Sequence, residues 1–593
     1  MVVKSKDSQQ ACIVAGLGAV CLSALVACTG LVSGTDGGQG SAVANQGTGN
    51  GSSTIPGGTH IGPDGQPVPN GTSGGGSTVP SNGGASSMQP IDPGSSLIHR
   101  MNTPEYNNSV ADVLGTTLQP ADGLWAAEET AGFNNQAAVQ LVDDKQYQRY
   151  FDAANAVAAD VFANAALKAK IVTCATVDNA ACVNGIINAA GLKLFRRPVT
   201  ADELPTYYKV YTDARALGLA HEPSLQNVLA ALLASAQFVY RMEFDAAPTS
   251  TTVHDLTGYE LASRLSYFLW QSAPDEALMK VAGDSTLTQT DVLSAQIDRA
   301  AADPKFERFT QSFIGQWLGV RKVGAHAVTA SVFPAWTPAL GAAMATEVYS
   351  FFDEFAKGNQ PWTDFVSADV NFVNADLAKL YGMPAPASGT QRVVNTTDNR
   401  FGFLGMGAFL ALSSYEYRTA PTLRGRWILL NLLCTPPAEP PPGIPKLDAA
   451  PDDAAAQQNV RQRLEAHRAS PVCASCHATL DPYGLALENF DAIGAYRSAY
   501  PNGSVIDAST VTADKVMFTG LSGLADQVKK QPSMLSCVEK QLFTYSLGRE
   551  PGDTDQPYLG QVQTAWTADT PTLPRLIKGL VLADTFRKRH GGL

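Results

Sequence analysis

The sequence predicts a mainly α-helical fold of several modules joined by long loops. Three observations carry this. From about residue 96 onward, apolar residues recur three and four positions apart, the spacing that gathers them on one face of a helix. Capping signals of Thr, Pro and Glu stand in front of those stripes. Strand-like alternation is sparse, whereas 52 glycines and 36 prolines interrupt the chain. At 593 residues, 45% of them hydrophobic, the chain exceeds what one core covers and has the composition of a globular protein.

The first residues read as an export signal. Lys4 and Lys6 form a short basic region, and the apolar stretch from Ala11 to Ala27 is short for a membrane span. It ends in Leu25-Val26-Ala27-Cys28, which is similar to the bacterial lipoprotein cleavage box. This predicts removal of residues 1–27 and a lipid on Cys28, an ordinary secretory peptide being the other reading. Thr29 stands where an Asp often retains lipoproteins at the inner membrane. The expected location is therefore the periplasm or cell surface, with anchorage to the outer membrane. Residues 28–95 are mostly Gly, Ser, Thr, Asn and Pro; they bury too little apolar surface to offset ordering and read as a disordered tether.

Residues 96–220 read as N-terminal helical modules. Thr103-Pro104-Glu105 reads as an N-cap followed by Pro at the first helical position, Tyr106, Val110, Val113 and Leu114 share a face, and Gly115 ends the helix. Thr200 to Glu203 is a candidate capping box. Residues 221–434 read as a central helical domain. Leu225 to Phe244 predicts one long core helix, since Gln226, Gln237 and Arg241 interrupt it too often for a membrane span. Thr257 to Glu260 is a second capping box, followed by a stripe of Leu261, Leu265, Phe268 and Leu269. Residues 435–456, with Pro440-Pro441-Pro442, predict an extended linker. Residues 457–593 then carry a small helical region and a last helix from Leu535 to Leu547, with Gly548 as its C-cap.

That last region holds Cys473-Ala474-Ser475-Cys476-His477. Two thiols at this spacing can each add to one vinyl group of a single porphyrin, and the adjoining His offers its imidazole to iron. The run therefore reads as the covalent attachment site of haem c, with His477 as proximal ligand and the surrounding helices cytochrome-c-like. The competing reading is a disulfide or half of a zinc site; zinc takes four ligands, commonly from two such pairs, and the chain has no second C-x-x-C. The sixth iron position stays open. Met517 and Met534 lie downstream at separations suited to an axial Met, but both also read as core filler. His467 reads equally as a distal ligand or as a surface residue of the preceding helix, and a vacant position permits oxygen or peroxide chemistry. Asp481 and Glu488, with Arg497 nearby, are candidates to orient His477 or to neutralise each other, or are simply a cap and a surface pair. Arg196-Arg197 suits haem propionates or a structural brace.

Of nine cysteines, Cys12 and Cys21 leave with the signal, Cys28 takes lipid, and Cys473 and Cys476 take haem. Four remain in an oxidising compartment. Cys174 and Cys182 flank a turn-like segment and are paired; Cys434 and Cys537 pair by elimination, with four free thiols as the alternative. The formal charge of −12 and the lack of a Lys/Arg cluster argue against a nucleic-acid partner. No G-x-S-x-G, H-E-x-x-H, P-loop or Rossmann glycine motif is present.

Several longer segments carry a resemblance. They are Thr103 to Asn108, Leu194 to Thr200, Tyr259 to Trp270, His467-Arg468 with the C-x-x-C-H run, Asp481 to Asp491, and Tyr545 to Arg549. On these the chain resembles the multi-module planctomycete-type cytochrome c proteins, built from tandem domains of unknown function, over roughly residues 97–590. The resemblance implies an exported, mostly helical haem-binding protein and names no substrate. Tyr259 to Trp270, its most distinctive part, reads most simply as core. One departure stands out: relatives often carry His just before the segment matching Arg418 to Pro421, where this chain reads Ser413-Ser414-Tyr415-Glu416-Tyr417. The functions in view are electron transfer with a redox partner protein at the cell envelope, haem-dependent oxidase or peroxidase-like chemistry on an extracellular substrate, and a non-redox binding or scaffold lipoprotein.

Overall fold

The computed structural model describes residues 92–94, 98–123, 129–140, 142–174, 176–245, 247–395, 399–438 and 460–591. The signal segment, Cys28, nearly all of the tether and most of the proline-rich linker lie outside the described residues. The fold is mainly α, with helices of four to twenty residues and strands of two to four.

The first helix, Thr103–Leu114, starts one residue earlier than expected. Asn102 is the N-cap, its side chain accepting from the Glu105 N–H while the Glu105 carboxylate accepts from the Asn102 N–H. Asn and Thr are comparable caps, and Asn102 is the one that places Glu105 at the third helical position, where the reciprocal box closes. Gly115 ends the helix at φ 82°, a left-handed conformation that glycine adopts without strain. Both expected capping boxes form, at Thr200/Glu203 and at Thr257/Glu260. Gly548, also left-handed, ends helix Ser533–Leu547.

The single helix expected over Leu225 to Phe244 is instead three pieces: helix His221–Ala234, a short helix Ala236–Val239, and a strand at Tyr240–Arg241. The break sits at extended Ser235 (ψ 153°). At the break the Ser235 hydroxyl donates to the Leu232 carbonyl. Beyond it the Arg196 guanidinium donates to the carbonyls of Gln237, Phe238 and Tyr240, so these are satisfied where the second piece gives way to the strand.

Among the described residues, four two-stranded antiparallel pairs tie distant segments together. His99–Arg100 pairs with Tyr240–Arg241, and His254–Asp255 with Lys588–Arg589. Val370–Val373 pairs with Gln391–Val394, and Ser509–Val511 with Met517–Thr519. At the start of the described chain, Asp92 pairs with His590 at 3.0 Å.

Two large cores result. One gathers Met101 to Val239 with Tyr267; the other gathers Phe133 and Leu256 to Phe586. Helix Gly258–Trp270 serves both: Tyr267 enters the first, while Leu261, Leu265, Phe268, Leu269 and Trp270 enter the second. That double duty explains why this stretch reads as core all round. The chain on either side of residues 439–459 packs into the second core, since Leu429, Leu432, Tyr483, Phe490 and Leu542 all belong to it. No described helix is long and apolar enough to cross a membrane. Disulfides join Cys174 to Cys182 and Cys434 to Cys537, with Cα atoms 5.8 and 5.2 Å apart, as paired in the sequence.

Candidate functional site

The C-x-x-C-H run occupies the first two turns of helix Pro471–Leu485. Pro471 opens it at a position where a missing N–H is harmless. Two partners fix the helix. Helix Val460–Arg468 meets it through a small apolar cluster of Val460, Leu464, Leu485, Tyr500 and Ile506. Helix Pro421–Trp427 crosses it at a pair of glycines: a Cβ on Gly425 would strike the Leu480 carbonyl, and one on Gly484 the Pro421 carbonyl. Only glycine lets the two backbones approach so closely.

That crossing delivers a polar set to His477. Its Nδ1 lies 3.0 and 3.1 Å from the two carboxylate oxygens of Asp481, one helical turn on. Asp481 is fully buried. The Thr422 hydroxyl donates to its Oδ1 at 2.8 Å, and Arg468 Nε lies 3.8 Å from its Oδ2. Cys473 and Cys476 are unbridged and half-buried, and Cys476 packs against the second core. Among the described residues no group of three or more His, Cys, Asp and Glu side chains is gathered to hold a metal ion. Cys473, Cys476 and His477 stand three and four positions apart on helix Pro471–Leu485, and this donor set, two unbridged thiols and an imidazole, suits a porphyrin, which takes two thiols at its edge and an imidazole at its centre.

Beneath the motif lies a charged core in which Glu488 and Arg497, named from the sequence, are joined by Arg424, which was not. Arg424 is fully buried and donates to the carbonyls of Leu487, Phe490 and Asp491 and to the Ser414 hydroxyl. Burial pulls its pKa down to about 10, against the opposing pull of Glu488. Glu488, also fully buried, sits 4.0 Å from Arg424 and 3.6 Å from Arg497 and accepts from the Tyr500 hydroxyl at 3.1 Å. Of the two carboxylates named from sequence, then, Asp481 meets His477 and Glu488 does not. Arg424 beside Gly425 in the short helix Pro421–Trp427 is the local hint of this network.

Arg196 and Arg197 do not join the motif. Arg196 bonds the carbonyls noted above and the Tyr267 hydroxyl, and Arg197 forms a two-point pair with Glu203. Their guanidinium groups are engaged in bracing the first core, the structural alternative. Of the distal candidates, Met534 is buried in the second core, as filler. Met517 is 76% exposed on the strand Met517–Thr519, so it is not core filler. His467 belongs to helix Val460–Arg468, but its side chain is outside what is described. The segment Ser413 to Tyr417, which lacks the relatives' His, places Tyr415 and Tyr417 around the Arg418 guanidinium, 4.6 and 5.6 Å from it.

Five family models match in order along the chain. They are described as Protein of unknown function (DUF1587) at residues 99–163, (DUF1595) at 182–243, (DUF1592) at 256–383, (DUF1588) at 400–500 and (DUF1585) at 514–586. The chain belongs to the multi-module planctomycete-type cytochrome c proteins. In this family the domains stand in tandem, and the match at 400–500, labelled PSCyt3, spans the arginine helix, the motif helix and the Glu488 network. No curated protein and no solved structure matches the chain. The protein is thus a cytochrome-c-associated multi-domain protein whose modules pack as the two cores above.

Proposed function

We propose that this protein is an exported, lipid-anchored c-type haem protein that transfers electrons at the cell envelope to or from a redox partner protein. One observation carries the reading. Two unbridged thiols and a histidine held by a buried carboxylate stand together on the first turns of one helix. Cys473 and Cys476 would hold the porphyrin edge, and His477 would face iron through Nε2, the nitrogen that Asp481 does not take. Bound haem supplies one-electron redox chemistry; the protein sets access, orientation and potential. Lipidation at Cys28 and the 28–95 tether would hold the folded body at the outer membrane, on the periplasmic or surface side.

A second reading, haem-dependent oxidation of an extracellular substrate, is favoured by the same Asp481 contact, because a carboxylate on the proximal His increases electron donation to iron. Expression in a periplasm with c-type maturation, followed by a haem stain and a cyanide or carbon monoxide titration, tests both. A covalent haem that is inert to these ligands supports the electron carrier; one that binds them at once supports the enzyme. Folded protein without haem would leave the binding or scaffold lipoprotein.

A further inference from the structure

We infer that Asp481 and Thr422 form an opposed pair that tunes the donor strength of His477, and with it the potential of the bound iron. This rests on the haem reading above and goes beyond it by assigning two residues outside the attachment motif. Three features of the geometry carry it. Asp481 is fully buried and brings both oxygens within 3.1 Å of Nδ1, so its carboxylate meets the imidazole in a water-poor setting where charge acts strongly. It lies on the same helix as His477, one turn on, so the pair is held rigidly. Thr422 reaches the same Oδ1 from the crossing helix at 2.8 Å.

The two contacts push in opposite directions. An Nδ1–H donating to a carboxylate gives the imidazole anionic character and a stronger Nε2 donor, which favours ferric iron. A hydroxyl donating to that carboxylate draws charge back toward itself and weakens the effect. Arg468, 3.8 Å from Oδ2, acts in the same sense as Thr422 from the opposite oxygen. Asp481 and Thr422 are positioning residues: they act through His477 and not on haem directly.

The test uses the full mature chain matured with haem c, in three forms: wild type, Asp481→Asn and Thr422→Val. Asparagine keeps an acceptor for Nδ1–H and removes the charge. Midpoint potentials come from a spectroelectrochemical titration. Asp481→Asn should raise the midpoint, by about tenfold in ferric-over-ferrous preference, or about 59 mV for one electron. Thr422→Val should move it the opposite way and by less. Shifts of the same sign in both variants would mean general disturbance of the helix crossing, and unchanged potentials with haem bound would mean that Asp481 only props the helix; either overturns the inference. If Asp481→Asn fails to fold, the sign of the Thr422→Val shift decides alone. Wild-type protein that folds without haem would sink the haem reading itself, and the inference with it.

Discussion

In the N-terminal modules, residues 99–243, three buried polar residues close backbone. Asn102 and Glu105 cap a helix start, and Arg196 gathers the carbonyls at a helix end. Around the motif, residues 400–500, Arg424 also closes backbone and buried Glu488 meets Arg424, Arg497 and Tyr500, but one buried group does something else. Asp481 faces a partly exposed imidazole beside two unbridged thiols. The difference separates structural from functional polarity. A buried charge whose partners are all carbonyls and caps is explained by the need to satisfy them. A buried carboxylate directed at a partly exposed metal-ligand type of side chain is not.

Several variants break or sharpen that comparison. Arg424→Leu strikes the charged core under the motif and leaves Glu488 buried with only Arg497 and the Tyr500 hydroxyl; it should cost about 3–5 kcal/mol in urea unfolding and lower haem occupancy as well. Leu233→Ala, in the fully apolar part of the first core, should cost about 2–5 kcal/mol and leave haem per folded molecule unchanged. If Leu233→Ala also strips haem, the two regions are not separable. Gly484→Ala forces a Cβ against the Pro421 carbonyl; a loss of about 1–3 kcal/mol is expected, with misalignment of Thr422 visible as reduced haem incorporation.

The mildest variant concerns Glu539, in helix Ser533–Leu547, whose burial pushes its pKa up from 4.5 to about 8. The folded state then holds its proton more tightly than the unfolded chain. The stability this contributes is complete below pH 4.5 and is lost as pH rises to about 8. Glu539→Gln should flatten the fall in thermal midpoint over that window, and an unchanged slope would show that the group is not neutral in the fold.

What was legible in the sequence was local. Capping boxes at Thr200 and Thr257 span four residues, and the Gly115 and Gly548 stops act on their own helix, so each can be read without tertiary structure. His477 and Asp481 are one helical turn apart, close enough for the orienting contact to be named beforehand. The helix break at Ser235 was not legible, because the apolar stripe runs through it, and the Arg196 that takes up the carbonyls just beyond it lies more than forty positions upstream. Thr422 and Arg424 were missed for the same reason: they reach the motif across a glycine crossing that joins segments more than fifty residues apart. The distal candidates show the limit of composition. Met517 and Met534 look alike in sequence, yet one is exposed on a strand and the other is buried.

The most direct test of the central claim is a haem stain with a reduced pyridine haemochrome spectrum, on wild type beside Cys473→Ala/Cys476→Ala, both expressed in a periplasm with c-type maturation. The account predicts a covalent haem band and a c-type haemochrome in the wild type, and loss of both in the variant. A folded wild type with no covalent haem, or a variant that keeps it, would contradict the account.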